Sequence, residues 1–270
     1  MDRNYSTHTV IVTGASSGIG RELAKGLARK GAGLVLVARR KDRLDELAEI
    51  LRREHRVTVD VVALDLGSRT AARELRAAVA ALGVRVTALI NNAGFGTFGL
   101  FTDEHPLELE KEIAVDISTP VALSAEFLPD IIAAGNGFLI NVASMAAYTP
   151  TPRMAVYGAA KAFVLSFTES LWAELRGSGV TVFALSPGAT STEFNNVVGT
   201  DDATAGARMR SATDVAETAF AHLEKRNPGP SVIDGAGNRF AAAILGLVSR
   251  RATVNLMHRL TDPDRRAATA

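Results

Sequence analysis

The chain has 270 residues, 47% hydrophobic and 22% charged, a composition that excludes disordered, collagen-like and coiled-coil proteins and fits one large α/β domain over 1–270. Thirty Lys and Arg against 29 Asp and Glu leave a formal charge of +1, so no global field draws the protein to nucleic acid or to an anionic membrane. Cysteine is absent, which removes disulfides, thiolate nucleophiles and cysteine-held metal sites, and the five histidines show no metal-ligand spacing, so no metal is expected.

Met1 to Thr9 is polar and lacks the apolar segment of a secretory signal, so a cytoplasmic location is expected. His8 to Thr13 is a β-branched run that stops at a glycine turn, and Ile19 to Lys30 takes up helical spacing with Ile19, Leu23 and Leu27 on one face. Leu34 to Ala38 reads as a buried strand, and Arg43 to His55 as an amphipathic helix. Further strands are expected at 57–64, 88–91, 137–142 and 180–186, separated by helices at 69–82, 107–133 and 156–176. This alternation predicts a doubly wound parallel sheet of Rossmann type with helices on both faces. Residues 189–212, rich in Thr, Gly, Asn, Asp and Ala, read as a mobile substrate loop with a short helix. Residues 238–260 read as one or two amphipathic helices that pack over the substrate cleft or against another subunit, with surface membrane contact the less favoured alternative. No run reaches the roughly 18 consecutive apolar residues of a bilayer span.

The first strand-to-helix junction reads Thr13-Gly14-Ala15-Ser16-Ser17-Gly18-Ile19-Gly20. Glycines there let the backbone approach a pyrophosphate, and the free N–H groups and dipole of the following helix stabilise its charge. Gly14, Ser16, Ser17, Gly18, Ile19 and Gly20 are therefore candidate cofactor contacts; a merely connecting glycine turn is the bland alternative. A Gly-Lys-Ser/Thr ending is missing, which disfavours a nucleoside triphosphatase loop. After the second strand an acidic residue would hold a ribose 2′-hydroxyl, but the chain offers Arg39, Arg40 and Lys41. Guanidinium groups pair well with phosphate oxygens, so NADP(H) is favoured over NAD(H), with Arg39 the first candidate and Arg40 the second.

Tyr157 and Lys161 stand four residues apart on an expected helix, which places both on one face, and Ser144 lies shortly before them. A phenol titrates near ~10, too high for easy proton exchange at neutral pH, and a neighbouring ammonium lowers that value. A serine hydroxyl beside the pair can hold a substrate oxygen. With these residues the sequence resembles the short-chain dehydrogenase/reductase family in its shorter, single-domain branch. The likeness spans most of the chain: the glycine turn, Asp65 after the third strand, Asn91-Asn92-Ala93-Gly94 after the fourth, Ser144/Tyr157/Lys161, and Pro187-Gly188 with Thr192.

The resemblance implies that Tyr157 is the acid/base and that Lys161 binds the nicotinamide ribose. It further implies that Asp65, with Leu66 beside it, belongs to the adenine end, that Asn91, Asn92, Ala93 and Gly94 support sheet and cofactor, and that Pro187, Gly188, Thr190 and Thr192 belong to the nicotinamide end. A homodimer or homotetramer and a small carbonyl or alcohol substrate are implied as well. One departure stands out. Asp116 occupies a helix position that in the family is usually Asn and takes part in a proton relay; an ionised carboxylate there can pair with Lys161 and weaken its pull on Tyr157. A solvated carboxylate without catalytic part is the alternative. Phe95, Phe98, Met145, Met154 and Phe194 can line an apolar pocket or simply pack in the core, and Trp172 reads as a packing residue. The competing functional class is a dinucleotide-binding sensor or scaffold with little catalysis.

Overall fold

Each β-branched or aliphatic run becomes a strand, and each amphipathic stretch between runs becomes a covering helix. The computed structural model describes residues 3–194 and 209–262. Its first half holds β1 (Thr9–Thr13), α1 (Gly18–Arg29), β2 (Gly33–Ala38), α2 (Lys41–His55), β3 (Val59–Ala63), α3 (Ala71–Leu82) and β4 (Ala88–Asn91). Next comes α4 (Pro106–Ile113), which runs through a π-helical segment, Ala114–Ser118, into α5 (Thr119–Ala134). β5 (Phe138–Val142), α6 (Ala155–Glu174), β6 (Thr181–Ser186) and the two-residue strands β7 (Thr190–Ser191) and β8 (Arg210–Ser211) follow, and α7 (Ala212–Leu223), β9 (Ser231–Ile233), α8 (Ala236–Leu247) and α9 (Arg250–Leu260) complete the order.

Seven strands form one parallel sheet in the order β3-β2-β1-β4-β5-β6-β9. β1 lies between β2 and β4, with Val10 opposite Leu34 on one side and Ala88 on the other. Chain order reverses at that point, and such a reversal opens a crevice beyond the carboxyl ends of the strands. Alternate residues feed two apolar layers. Val10, Val12, Leu34, Leu36 and Ile90 meet Leu23, Leu27, Leu44, Leu47 and Phe220 of α1, α2 and α7. Ile11, Val35, Val37, Leu89 and Leu139 meet Leu75, Leu123, Phe127 and Ile131 of α3 and α5. Each such side chain contributes about 1.5–3 kcal/mol on full burial, which holds the two helical layers to the sheet and the crevice open between them.

Three differences from the sequence reading concern the site. The helix expected over 107–133 is interrupted by the π segment, whose wider turn carries Asp116 inward. β9, too short to show a period, adds an edge strand. The loop expected at 189–212 has its two feet paired, Thr190 with Arg210 and Ser191 with Ser211, while the short helix expected within it falls outside the described residues. The C-terminal stretch forms two helices. α8 buries no side chain, leaving Phe240 69% and Leu247 89% exposed, but sets Asn238 against Gly188.

Candidate active site

The glycine turn is tied to the end of β4. Thr13 Oγ1 accepts the N–H groups of Asn92 and Ala93 at 2.9 and 3.0 Å, and Asn92 Nδ2 donates to the Thr13 carbonyl at 2.9 Å. Gly14 has φ +67, and a Cβ there would stand 2.9 Å from Ala93 Cα, so the turn requires glycine twice over. Ser17 caps α1 without a side-chain bond to the helix, which leaves the first-turn N–H groups free to meet an anion. Ser16 and Gly20 are buried, while Gly18 and Ile19 are half-buried, with the Thr192 side chain 3.2 Å from where a Cβ on Gly18 would lie.

Basic groups gather beside this turn. Arg40 Nη2 donates to Ser16 Oγ at 2.9 Å and Ser17 Oγ at 3.0 Å, and Arg40 Nη1 reaches Glu193 Oε2 at 2.8 Å. Arg43 Nη1 donates to the other oxygen of the same carboxylate. These hydrogen bonds, from Arg43 first and then Arg40, hold the Glu193 carboxyl down at about 2. Glu193 thus stands in for an anion cradled by two guanidinium groups and serine hydroxyls, which is the donor set a 2′-phosphate needs. Arg39 is exposed. The side chain that reaches the turn is Arg40, because α2 begins there and its first turn faces the glycine loop. Asp65 is exposed and accepts the Gly67 N–H at 3.0 Å, and Leu66 is buried with its carbonyl accepting from Thr119 Oγ1 at 2.5 Å.

The catalytic candidates converge at the ends of β5 and β6. Ser144 follows β5 and opens a short 3₁₀ turn, its Oγ accepting the Ala146 N–H at 3.1 Å. Pro187, after β6, accepts the Met145 N–H at 2.8 Å, and Thr190 Oγ1 donates to the Gly188 carbonyl at 2.9 Å. On α6, Lys161 Nζ lies 5.5 Å from the Tyr157 ring centre, 3.3 Å from the Val142 carbonyl and 2.6 Å from Asp116 Oδ1. Asp116 is fully buried, and its Oδ2 accepts the Phe95 N–H at 3.1 Å. Of the apolar candidates, the Phe194 ring is 5.3 Å from that of Tyr157, and Met154 is buried one turn ahead of it. Trp172 packs half-buried on the same helix and donates to the Pro228 carbonyl at 3.1 Å.

Burial dominates the Tyr157 phenol, and Lys161 pulls its pKa down as the sequence reading expects without reversing the net upward direction. Burial pushes the phenol up and outweighs the downward pull of Lys161 and of the Ser144 hydroxyl, while Asp116 and Glu112 push it further up. Burial by itself would lower Lys161, but Asp116 first and Tyr157 next hold the ammonium charged and raise it. Lys161 therefore divides its field between a phenol and a carboxylate.

Arg153, two residues before α6, has φ +66. Its guanidinium contacts the His258 carbonyl at 3.3 Å, Thr261 Oγ1 at 3.4 Å and Asp262 Oδ1 at 3.3 Å, all at the end of α9. At the opposite, N-terminal edge of the sheet a surface depression of about 510 Å³ is lined by Thr9, Arg85, Thr87 and Asn136 and brings no acid/base group together. Among the described residues no cluster of three or more His, Asp or Glu is placed to hold a metal.

Residues 8–203 match the family model described as short chain dehydrogenase. The chain belongs to the short-chain dehydrogenase family. The dehydrogenase is 37% identical over 219 residues to sulfoacetaldehyde reductase 2 of Chromohalobacter salexigens, covering 78% of this chain and 86% of that protein. It is 38% identical over 189 residues to a short chain dehydrogenase of Pseudocercospora fijiensis, covering 69% of this chain and only 60% of that longer protein. Among solved structures it matches a short-chain dehydrogenase from Sphingobium yanoikuyae in complex with NADPH, with TM-score 0.78, 34% identity, and coverage of 89% and 94% of the two chains. It is thus an oxidoreductase of a family whose cofactor is a nicotinamide dinucleotide.

Three site residues of the dehydrogenase escape the sequence reading. Arg43 opens the helix expected after the second strand, and its nearness in sequence to Arg40 is the one signal the chain offers for it. Glu112 lies four residues before Asp116, a signal of the same kind. Glu193 carries no signal at all, since only the folded chain brings it beside Arg40.

Proposed function

We propose that the dehydrogenase is NADP(H)-dependent and interconverts a carbonyl compound and the corresponding alcohol, with Tyr157 as acid/base. The observation that carries this reading is the convergence of Tyr157, Lys161 and the Ser144 hydroxyl at the carboxyl ends of the strands. When bound, NADP(H) supplies or accepts the hydride. In the reductive direction Tyr157 Oη donates its proton to the carbonyl oxygen, and Ser144 Oγ holds that oxygen in place by a hydrogen bond. Lys161 stabilises the phenolate that remains and holds a ribose hydroxyl, while Asp116 limits how far that stabilisation goes. The Arg40, Arg43, Ser16 and Ser17 cradle supports the 2′-phosphorylated cofactor, as does the NADPH carried by the Sphingobium relative.

The reading includes a small-molecule substrate, a cytoplasmic setting and a homodimer or homotetramer. Equilibrium binding of NADPH and NADH tests the cofactor, and turnover on a carbonyl panel that includes sulfoacetaldehyde and a bulky ketone tests the chemistry. Tight NADPH binding and reduction that disappears in Tyr157→Phe are expected. The grip of Asp116 on Lys161 favours a second reading, a dinucleotide sensor with little catalysis; cofactor binding without turnover on any carbonyl would select it.

A further inference from the structure

Glu112 and Asp116 stand one turn apart on α4 and its π-helical continuation, and both are fully buried. They hold alternate residues of one extended strip. Asp116 Oδ2 accepts the Phe95 N–H at 3.1 Å, and Glu112 Oε2 accepts both the N–H and the Oγ1–H of Thr97, at 3.3 and 3.1 Å. Between those two anchors Gly96 lies against Tyr157: a Cβ there would be 2.9 Å from ring Cδ2 and 3.2 Å from Met154 Cε. On the near side, a Cβ on Gly94 would be 2.4 Å from Asp116 Oδ1 and 3.0 Å from Lys161 Nζ. The strip therefore touches the tyrosine and the ion pair with no space to spare, and two carboxylates set its height.

Glu112 is a costly residue for this duty. Its Oε1 is buried without a hydrogen-bond partner among the described residues, a state that is uncommon in folded proteins. The charged and titratable groups facing it are Asp116 on its own helix, Glu104 in the loop before it, and Tyr157 and Lys161 on α6. Burial pushes its carboxyl up to about 7, opposed by the Thr97 bonds. We propose that Glu112 is a positioning residue for Tyr157: through Thr97 it fixes the strip 95–97 against the ring, and its negative charge opposes loss of the phenol proton. This rests on the reading of Tyr157 as the acid/base.

Three variants separate the two actions. Glu112→Gln keeps an acceptor for Thr97 and removes the charge, Thr97→Val removes the hydroxyl bond and keeps the charge, and Glu112→Ala removes both. The Tyr157 phenolate is titrated by ultraviolet difference absorbance, with Tyr157→Phe as the blank, a readout that needs no substrate. Glu112→Gln moves that titration to lower pH by about half a unit, because a repelling charge is gone. Thr97→Val leaves the titration in place and lowers kcat about tenfold, with NADPH affinity and KM nearly unchanged, because a misplaced phenol reacts slowly without weakening binding. An unmoved titration in Glu112→Gln, or an unchanged kcat in Thr97→Val, overturns the proposal. If Glu112→Ala does not fold, the other two variants carry the test. Full turnover in Tyr157→Phe would remove the acid/base role itself, while the titration would still decide whether Glu112 acts on the phenol.

Discussion

Replacement of Arg40 by alanine isolates the selection of the phosphorylated cofactor. Arg40 Nη1 now meets the Glu193 carboxylate at 2.8 Å, and a 2′-phosphate in that place takes over the bond. A hydrogen bond to a charged group contributes about 1.5–3 kcal/mol. The Arg40 side chain is 41% exposed, so the lower half of that range applies. Displacing Glu193 costs about 0–1 kcal/mol, the usual worth of an exposed ion pair. The net, about 0.5–2 kcal/mol, makes NADPH bind about two- to thirtyfold more weakly in Arg40→Ala and leaves NADH unchanged. Calorimetric titration of both dinucleotides gives the two ratios, and Glu193→Gln moves NADPH the other way, tightening it severalfold by removing the competing carboxylate. Equal losses for NADPH and NADH, or an effect of Arg39→Ala larger than that of Arg40→Ala, would refute the assignment of the phosphate to the Arg40 and Arg43 cradle.

Two further outcomes are expected. In Asp116→Asn the ammonium of Lys161 is released toward Tyr157 and a charge that raises the phenol is lost, so the basic limb of the pH profile for reduction moves to lower pH; an unchanged profile would leave the Asp116 side chain without that role. His8 is buried, with Nδ1 3.0 Å from Thr87 Oγ1, and burial drops its pKa from 6.5 to about 4. The folded state thus keeps His8 neutral where the unfolded chain binds a proton, so stability is full above pH 6.5 and is lost as pH falls from there toward 4. Thermal unfolding across that window measures the slope, and His8→Gln flattens it.

The glycine turn and the Tyr157 to Lys161 spacing were legible because both are local: a strand feeding a helix, and two residues one turn apart. The strands were legible for the same reason, since β4 is Ala88–Asn91 as the apolar run predicts. What sequence periodicity does not carry is any contact between distant segments. Glu193 joins Arg40 across 153 positions, and nothing in either neighbourhood announces the pairing. Glu112 misleads in another way, because a charged residue among Glu108, Glu110 and Lys111 reads as part of a solvated face. Only the extra residue of the π segment re-aims the helix. Asp116 was singled out by a family resemblance, yet its distance to Lys161 and the upward net shift of Tyr157 depend on burial that spacing does not reveal.

Arg153 makes the far end of the chain part of the site's foundations. The residue before the cap of α6 is bonded to the last turn of α9, so the segment leading into the tyrosine helix is braced by residues more than a hundred positions later. A protease cut that trims α9 then reaches Tyr157 through its helix without touching the crevice. Preparations trimmed to different points within α9 are expected to differ in turnover.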